Sequence, residues 1–223
     1  MLIPIVQGGL GYFALVLDIS SNVTEYNVLT AATAAGYNAA TDARPIVVNV
    51  ASGVTVSGST THALRTGVLN AATSLTININ GSVDGYTGAN GGVVAVPGSV
   101  GGDAIYWETS GASVVNVASG ANLRSGGGGG GGGGQRGGRQ FNDSKYGCQG
   151  SVYYGSYGST GAAGGFALVG ATGGTGTFGT GDSNCVVQSP GAGGAGGAAG
   201  FAIRENSNTI TVNNSGTIAG TIG

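Results

Sequence analysis

Charged side chains are scarce in this sequence. Lysine, arginine, aspartate and glutamate make up 7% of its 223 residues, and the formal net charge is -2. This composition excludes a nucleic-acid-binding protein that depends on a basic patch. It also argues against ordinary disorder, which accompanies high charge and low hydrophobicity. We therefore expect a folded chain with no nucleic-acid partner.

Large apolar side chains are also few, with 5 Phe, 1 Trp and 1 Met, whereas glycine supplies 50 residues. The chain has 4 prolines and lacks the strict Gly-X-Y period, which excludes collagen. A chain with so few salt bridges and large apolar groups must be held together mainly by backbone hydrogen bonds.

No apolar stretch is long enough and uninterrupted enough to span a bilayer, so we expect no membrane insertion. The N-terminal sequence MLIPIVQGGLGYFALVLDI is apolar but is interrupted by Gln7 and by glycines. It also lacks the basic region and the cleavage site of a signal peptide. We therefore expect assembly in the cytoplasm of the cell that makes the protein.

Residues suited to metal binding and catalysis are equally sparse. His62 is the single histidine, and the two cysteines, Cys148 and Cys185, are not at metal-ligand spacing. The acidic residues are scattered, and the glycine runs lack the Gly-Lys-Ser/Thr ending of a phosphate-binding loop. We predict no metal, no cofactor and no enzymatic activity. The cysteines form either a disulfide between two loops or two buried thiols, and the sequence leaves both readings open.

Outside the glycine runs, the sequence has the alternation of β-strands. Tyr12–Ile19 reads as a buried strand, and the Ala-rich Val28–Ala35, followed by Gly36, predicts one short helix. Four units then repeat one pattern, in which an alternating strand with Asn leads through a Ser-Gly or Asn-Gly turn into a second short strand. These units are Val47–Gly58, Leu75–Gly85, Val114–Gly126 and Ile210–Gly220.

The recurrence of this unit predicts a mainly β fold, either stacked coils of a β-solenoid or a small β-sandwich. Within one unit, the Asn and the Ser-Gly turn are typical of a hairpin, which would pair the two strands with each other. The last unit would then close the chain as a C-terminal strand pair.

The unbroken run Gly126–Gly134 follows the third unit. A glycine run is normally disordered because glycine loses the most backbone entropy on ordering. This run lies between two strand units, however, which favours an ordered body. Chains without side chains can adopt an extended threefold helix, and several such helices packed together can pair their N–H and C=O groups. Further Gly-rich segments recur at Gly161–Gly165, Gly173–Gly181 and Gly191–Gly200.

We therefore predict two domains. Residues 1–125 would form a β-rich scaffold and attachment domain. Residues 126–223 would form a bundle of polyglycine II helices closed by the C-terminal strands.

Two segments interrupt the glycine-rich sequence, Gln135–Thr160 and Thr177–Pro190, and we expect both to be loops. Tyrosine and arginine among Ser, Gly and Asn are typical of recognition surfaces, because tyrosine brings rigid area at low entropy cost. Alternatively, the rings only cover the ends of a bundle that has no side-chain core. The candidate binding residues are Arg136, Arg139, Phe141, Lys145, Tyr146, Tyr153, Tyr154 and Tyr157.

The strand unit that enters the glycine run (NVASGANLRSGGGGGGGGG), the aromatic-rich segments and the ending GAGGAGGAAGFAIRENSNTITVNNSGTIAG resemble the glycine-rich adhesins at the tips of tailed-bacteriophage fibres. The resemblance implies a sandwich of polyglycine II helices whose connecting loops contact a receptor on the bacterial surface. It also implies that the protein belongs to the virion.

We therefore expect a virion protein of the tail fibre or tail tip, assembled in the host cytoplasm. Its expected partners are a host outer-surface receptor (protein or glycan) and another tail or fibre protein, and an oligomer of identical chains is compatible with the sequence. The first competing hypothesis is a non-catalytic structural or decoration protein of the capsid or tail. The others are a glycan-depolymerising enzyme and a secreted glycine-rich or ice-binding protein.

Overall fold

The computed structural model describes residues 13–92, 94–143, 147–181 and 183–223, which form eighteen strands and one helix. The prediction of a mainly β fold with one short helix is confirmed. In chain order the elements are β1 (Leu15–Ile19), β2 (Val23–Thr24), β3 (Tyr26–Asn27), α1 (Val28–Ala34), β4 (Ile46–Val50), β5 (Thr55–Ser57), β6 (His62–Arg65), β7 (Leu75–Ile79), β8 (Ser82–Asp84), β9 (Asp103–Tyr106), β10 (Ser113–Val117), β11 (Asn122–Arg124), β12 (Gly138–Asp143), β13 (Gly147–Tyr154), β14 (Val186–Gln188), β15 (Phe201–Arg204), β16 (Thr211–Asn214), β17 (Thr217–Ala219) and β18 (Thr221–Ile222).

Fifteen of these strands form three parallel sheets of five strands each, with the orders β1-β4-β7-β10-β16, β17-β11-β8-β5-β2 and β18-β15-β9-β6-β3. Each turn of the chain contributes one strand to each sheet, so the strands stack as five coils of a solenoid. The fourth coil is β10, β11 and β15, and the glycine-rich sequence leaves it after β11 and returns at β15. The solenoid alternative of the sequence prediction is therefore the one observed.

The repeated units predict strand positions correctly but strand partners wrongly. β4 and β5 of the first unit lie in different sheets, and β4 pairs in parallel with β7, its equivalent in the next unit. The turn between them is thus a corner and not a hairpin. The C-terminal strand pair is wrong for the same reason, since β16 and β17 pair with β10 and β11. Stacking equivalent strands places identical side chains in register, which a hairpin within one unit would not do.

The core lies inside the coils and consists of in-register rows of aliphatic side chains. In the first sheet, Val48 of β4, Ile77 of β7 and Val115 of β10 occupy matching positions and are buried. Trp107 is buried as well, and its Nε1 donates to the Thr109 carbonyl at 3.0 Å. Burial of these aliphatic rows supplies apolar stabilisation even though the chain has few aromatic residues.

The predicted helix is confirmed at Val28–Ala34. Asn27 caps its first turn, because its side chain accepts from the Thr30 N–H at 3.0 Å, and Gly36 follows the last turn with φ of 84°. The helix buries Val28 and Ala32 against the solenoid. The predicted first strand begins at Leu15, and Tyr12 lies outside the described residues.

Residues 126–134 belong to no helix or strand, yet all nine are buried. Hydrogen bonds join this central segment to its neighbours with a period of three residues. The Gly128 N–H donates to Leu168, and the Gly131 N–H, three residues later, donates to Ala171. The N–H groups of Gly126, Gly129 and Gly132 donate to carbonyls of residues 95–102. The carbonyls of the same three glycines accept from N–H groups of residues 191–200.

Two further segments complete the contacts of the central segment. Its carbonyls accept from residues 86–92 on one side and from residues 155–164 on another. In the first of these segments, Asn90 Oδ1 accepts from the Gly130 N–H at 2.7 Å in place of a backbone carbonyl. Residues 86–92 and 94–102 thus leave the third coil, between β8 and β9, to join the glycine-rich segments. The division of the chain into domains 1–125 and 126–223 stays a prediction.

Candidate functional site

A small antiparallel sheet lies at the end of the glycine-rich segments that is remote from β11. Its order is β13-β12-β14, and it contains most of the residues predicted to bind a partner. The prediction that Gln135–Thr160 and Thr177–Pro190 are loops is wrong over β12, β13 and β14. The sequence shows little strand alternation here because both faces of β13 are largely exposed. We call the described residues of this region, 135–143, 147–157, 177–181 and 183–190, the distal end.

The two cysteines lie in the distal end, where the structure joins Cys148 to Cys185 in a disulfide with a Cα–Cα distance of 5.4 Å. This bond links β13 to the residue before β14. Gln140 sits at the irregularity of β12, where its N–H donates to the Cys185 carbonyl at 3.0 Å and its Nε2 donates to the Gly150 carbonyl at 2.8 Å. The sheet is thereby cross-linked on both sides of β12.

Removing the disulfide should loosen the distal end and leave the solenoid unchanged. The bond closes a separation of 37 residues, and the chain-entropy model gives such a loop about 3–4 kcal/mol. We expect the double variant C148S/C185S to exchange the amide hydrogens of β12–β14 at least tenfold faster. Hydrogen exchange with mass spectrometry measures this, and amides of β4, β7 and β10 provide the internal control. Equal protection of β12–β14 in both proteins would contradict the prediction.

Aromatic rings and arginines of the distal end are packed together in pairs. Phe141 and Tyr153 meet edge to face with centroids 5.3 Å apart. The Arg136 guanidinium lies over two rings, 4.5 Å from the centroid of Tyr154 and 5.2 Å from that of Tyr157. Such contacts hold rings and cations in fixed positions while leaving much of their surface free. The exposed fractions remain 53% for Phe141 and 49% for Tyr157.

Six of the eight predicted residues are therefore described and lie together in the distal end, whereas Lys145 and Tyr146 fall outside the described residues. Sequence analysis missed Phe178, whose ring centroid lies 3.8 Å from the Arg139 guanidinium. It also missed Val186 and Val187, which are exposed on β14. The sequence did contain a signal for these residues, because one aromatic and two β-branched side chains occur together in the segment Thr177–Pro190.

Ion pairs bind neighbouring coils of the solenoid where the glycine-rich segments leave and return. Asp103 of β9 is 2% exposed and accepts two hydrogen bonds from Arg204 of β15, at 2.7 and 3.0 Å, and one from the Phe201 N–H at 2.8 Å. His62 Nδ1 of β6 lies 3.1 Å from Asp103 Oδ2. Burial raises the pKa of Asp103, but the contacts with His62 and Arg204 outweigh it and leave that pKa below its ordinary value.

A similar pair joins the second sheet, where Arg124 of β11 donates to both oxygens of Asp84 of β8, each at 2.8 Å. Among the described residues, no three His, Cys, Asp or Glu side chains come together as a potential metal site. No helix in the described part of the chain has the length and apolarity needed to cross a membrane. These two ion pairs thus join neighbouring coils of the solenoid.

Comparison with known proteins agrees with this architecture. A family model described as phage tail fibre adhesin Gp38 matches residues 14–223. The fold is similar to a chain in the crystal structure of the gp37–gp38 adhesin tip complex of the bacteriophage S16 long tail fibre, with a TM-score of 0.56 and 21% sequence identity. The match covers 94% of this chain and 82% of that chain. Among curated protein sequences, no match was found.

The family match spans nearly the whole described chain, and it includes both the solenoid and the glycine-rich segments. The stacked coils, the period-three hydrogen bonds and the distal sheet thus all lie within the matched residues. The chain belongs to the phage tail fibre adhesin Gp38 family.

Proposed function

We propose that this tail fibre adhesin binds a receptor on the host-cell surface through its distal end, without chemically changing it. The observation that carries the proposal is the set of exposed aromatic rings in the distal end that pack against half-buried arginines. Exposed Phe141, Tyr153, Tyr154 and Tyr157 offer the aromatic anchors that dominate binding energy in protein interfaces. Their mutual contacts and the Cys148–Cys185 bond reduce the entropy lost on binding.

The glycine-rich segments serve, in this proposal, as a rigid polyglycine II bundle that carries the distal end away from the solenoid. The three-residue hydrogen-bond period supports this assignment, since a polyglycine II helix has three residues per turn. Close packing also supports it, because a Cβ built at Gly128, Gly131 or Gly134 would overlap a backbone carbonyl of residues 191–197. A support of this stiffness would keep the distal rings in one arrangement.

The solenoid, at the opposite end, is proposed to attach the adhesin to another tail fibre protein. The structural neighbour was solved as a complex of gp38 with gp37, which supports a fibre partner for this chain. We assign the attachment to the first coil, where Phe13 is 94% exposed and Val16 is 52% exposed. This arrangement would place the virion and the host cell on opposite ends of the glycine-rich segments. An oligomer of identical chains stays a prediction.

Substitutions in the distal end should slow adsorption of the phage without affecting assembly of the virion. We expect Arg136→Ala and Phe141→Ala each to lower the adsorption rate constant at least tenfold, because truncation of a binding hot spot costs about 2 kcal/mol or more. Adsorption is measured from the free phage remaining after mixing with host cells. The amount of adhesin per particle is measured by immunoblot of purified virions.

Phe166→Ala is the matched control for these variants. Phe166 is an exposed aromatic residue at the other end of the glycine-rich segments. The Arg124 guanidinium lies over its ring, 4.1 Å from the ring centroid. It should leave adsorption unchanged. Normal adsorption of both distal variants would reject the distal end as the binding site and favour a structural role for the protein. An equal loss in the Phe166→Ala phage would reject the assigned location.

A further inference from the structure

A ladder of amide side chains crosses the outer face of the first sheet. Asn49, Asn78, Asn116 and Asn213 occupy the same register position on β4, β7, β10 and β16. Each Nδ2 donates to the side-chain oxygen of the preceding coil, at 2.7 to 2.9 Å, and the series begins at Asp18 of β1. Parallel strands in register place identical amides one above another, which is the geometry of an asparagine ladder.

Hydrogen bonds within the ladder use only half of the donors and acceptors of each internal amide. A primary amide has two N–H donors and an oxygen with two lone pairs. Each internal member uses one donor and one lone pair within the ladder. Since Asn49, Asn78 and Asn116 are half-buried and Asn213 is exposed, the remaining donors and acceptors face solvent. The result is a row of alternating donors and acceptors with fixed spacing.

The ladder forms the floor of a groove of about 490 Å³. Asn80 and Ser215, both exposed, line the groove from the turns that follow β7 and β16, and the half-buried Ala118 adds apolar surface. The residues that line the groove carry no charge, and Asp18 is the charged group at the end of the ladder. A neutral ligand with many hydroxyl groups is complementary to such a surface, whereas an anionic ligand finds no cationic side chain among the lining residues.

We propose that this groove binds a neutral oligosaccharide, at a site separate from the distal end. Hydroxyl groups of a sugar both donate and accept, so they can satisfy the free N–H and the free lone pair of successive amides. The ladder holds each amide in one orientation before the ligand arrives, which lowers the entropy cost of binding. The half-buried Ala118 offers apolar surface to the C–H face of the sugar.

The test uses the purified full chain on an array of neutral and anionic bacterial oligosaccharides, followed by calorimetric titration with the neutral oligosaccharide that gives the strongest signal. We expect neutral oligosaccharides to bind and anionic ones to be rejected. Asn80→Tyr and Ser215→Tyr would fill the groove from its walls without breaking the ladder, and each should weaken binding at least tenfold.

Thr217→Tyr is the matched control, because Thr217 is equally exposed but lies on β17 in the second sheet. It should bind as the unaltered chain does, and so should Arg136→Ala in the distal end. Circular dichroism and thermal unfolding verify that the tyrosine variants are folded. The proposal is overturned if the array shows no neutral ligand, if binding is confined to anionic glycans, or if Asn80→Tyr and Ser215→Tyr bind normally.

Discussion

Replacing Gly131 with alanine is expected to disrupt the packing of the glycine-rich segments and to cost roughly 3 kcal/mol or more of stability. A Cβ at this position would overlap the carbonyl of Gly194 and lie 2.7 Å from the oxygen of Ala195. Both are backbone atoms, so no change of side-chain rotamer can relieve the overlap. The central segment would have to separate from residues 191–200, which breaks the hydrogen bonds that Gly129 and Gly132 accept from Gly197 and Gly194.

Gly92→Ala provides the matched control for this substitution. Gly92 is exposed, and a Cβ there would meet nothing within 4 Å. It should leave stability unchanged within about 0.5 kcal/mol, as expected for a surface substitution. Thermal unfolding measures the stability, and hydrogen exchange of residues 126–134 locates the change. Equal melting of the Gly131→Ala and Gly92→Ala chains would show that the segments are not packed as described.

Replacing Asp103 with alanine is expected to cost about 3–5 kcal/mol, the loss typical of breaking a buried ion pair by removing one partner. Arg204 would lose both hydrogen bonds to the carboxylate, and the Phe201 N–H would lose its acceptor. These contacts join β9 to β15, where the chain re-enters the solenoid from the glycine-rich segments. We therefore expect β15 to lose protection first. Chemical denaturation measures the stability and hydrogen exchange measures the protection.

The same carboxylate makes stability depend on pH. The pKa of Asp103 is lower in the folded chain than its ordinary value, so its contribution is complete above the ordinary pKa of aspartate. The contribution is lost as the pH falls through the folded pKa, because protonation then weakens the contact with Arg204. Glu25 and Glu108 also have lowered pKa values, so their contributions are lost in the same direction. Asp103→Asn should flatten the decline below about pH 4.

Asp18→Ala serves as the control for Asp103. Asp18 is an exposed carboxylate in the first strand and accepts one hydrogen bond from Asn49 at 2.8 Å. Its removal should cost at most about 1 kcal/mol. If Asp103→Ala proved no more destabilising than Asp18→Ala, Asp103 would not bind the coils together as its contacts indicate.

Local sequence patterns predicted individual elements of the solenoid. The alternation in Val47–Gly58 and its three relatives predicted the two strands of each unit. In the first three units, every second side chain of the first strand is buried inside the coils. It did not predict which strand pairs with which. The Ser-Gly turn after β4, with Gly53 at φ of 76°, is compatible with a hairpin as well as with a corner. Only stacking of equivalent rows, such as Val48 on Ile77, favours the corner.

The glycine-rich segments carried a signal that composition alone did not reveal. Glycine occurs at every third position in residues 85–91, 155–164, 170–179 and 191–200. A Cβ at Gly88 would overlap a carbonyl of a neighbouring segment, and the same is true at Gly161 and Gly197. A threefold helix packed among others turns one residue in three towards a neighbour, so that position must be glycine. This period would have assigned residues 86–92 to the glycine-rich segments.

In the candidate site, the sequence by itself determined the residue types, and the tertiary structure decided their arrangement. The cluster of tyrosine and arginine between glycine-rich segments marked the distal end, because such rings have no core there to enter. Pairing β12 with both β13 and β14 brought Phe178 and Val186 beside it from a segment distant in sequence. Such contacts depend on the tertiary path by which a distant segment comes back to β12. Local sequence patterns do not contain that information.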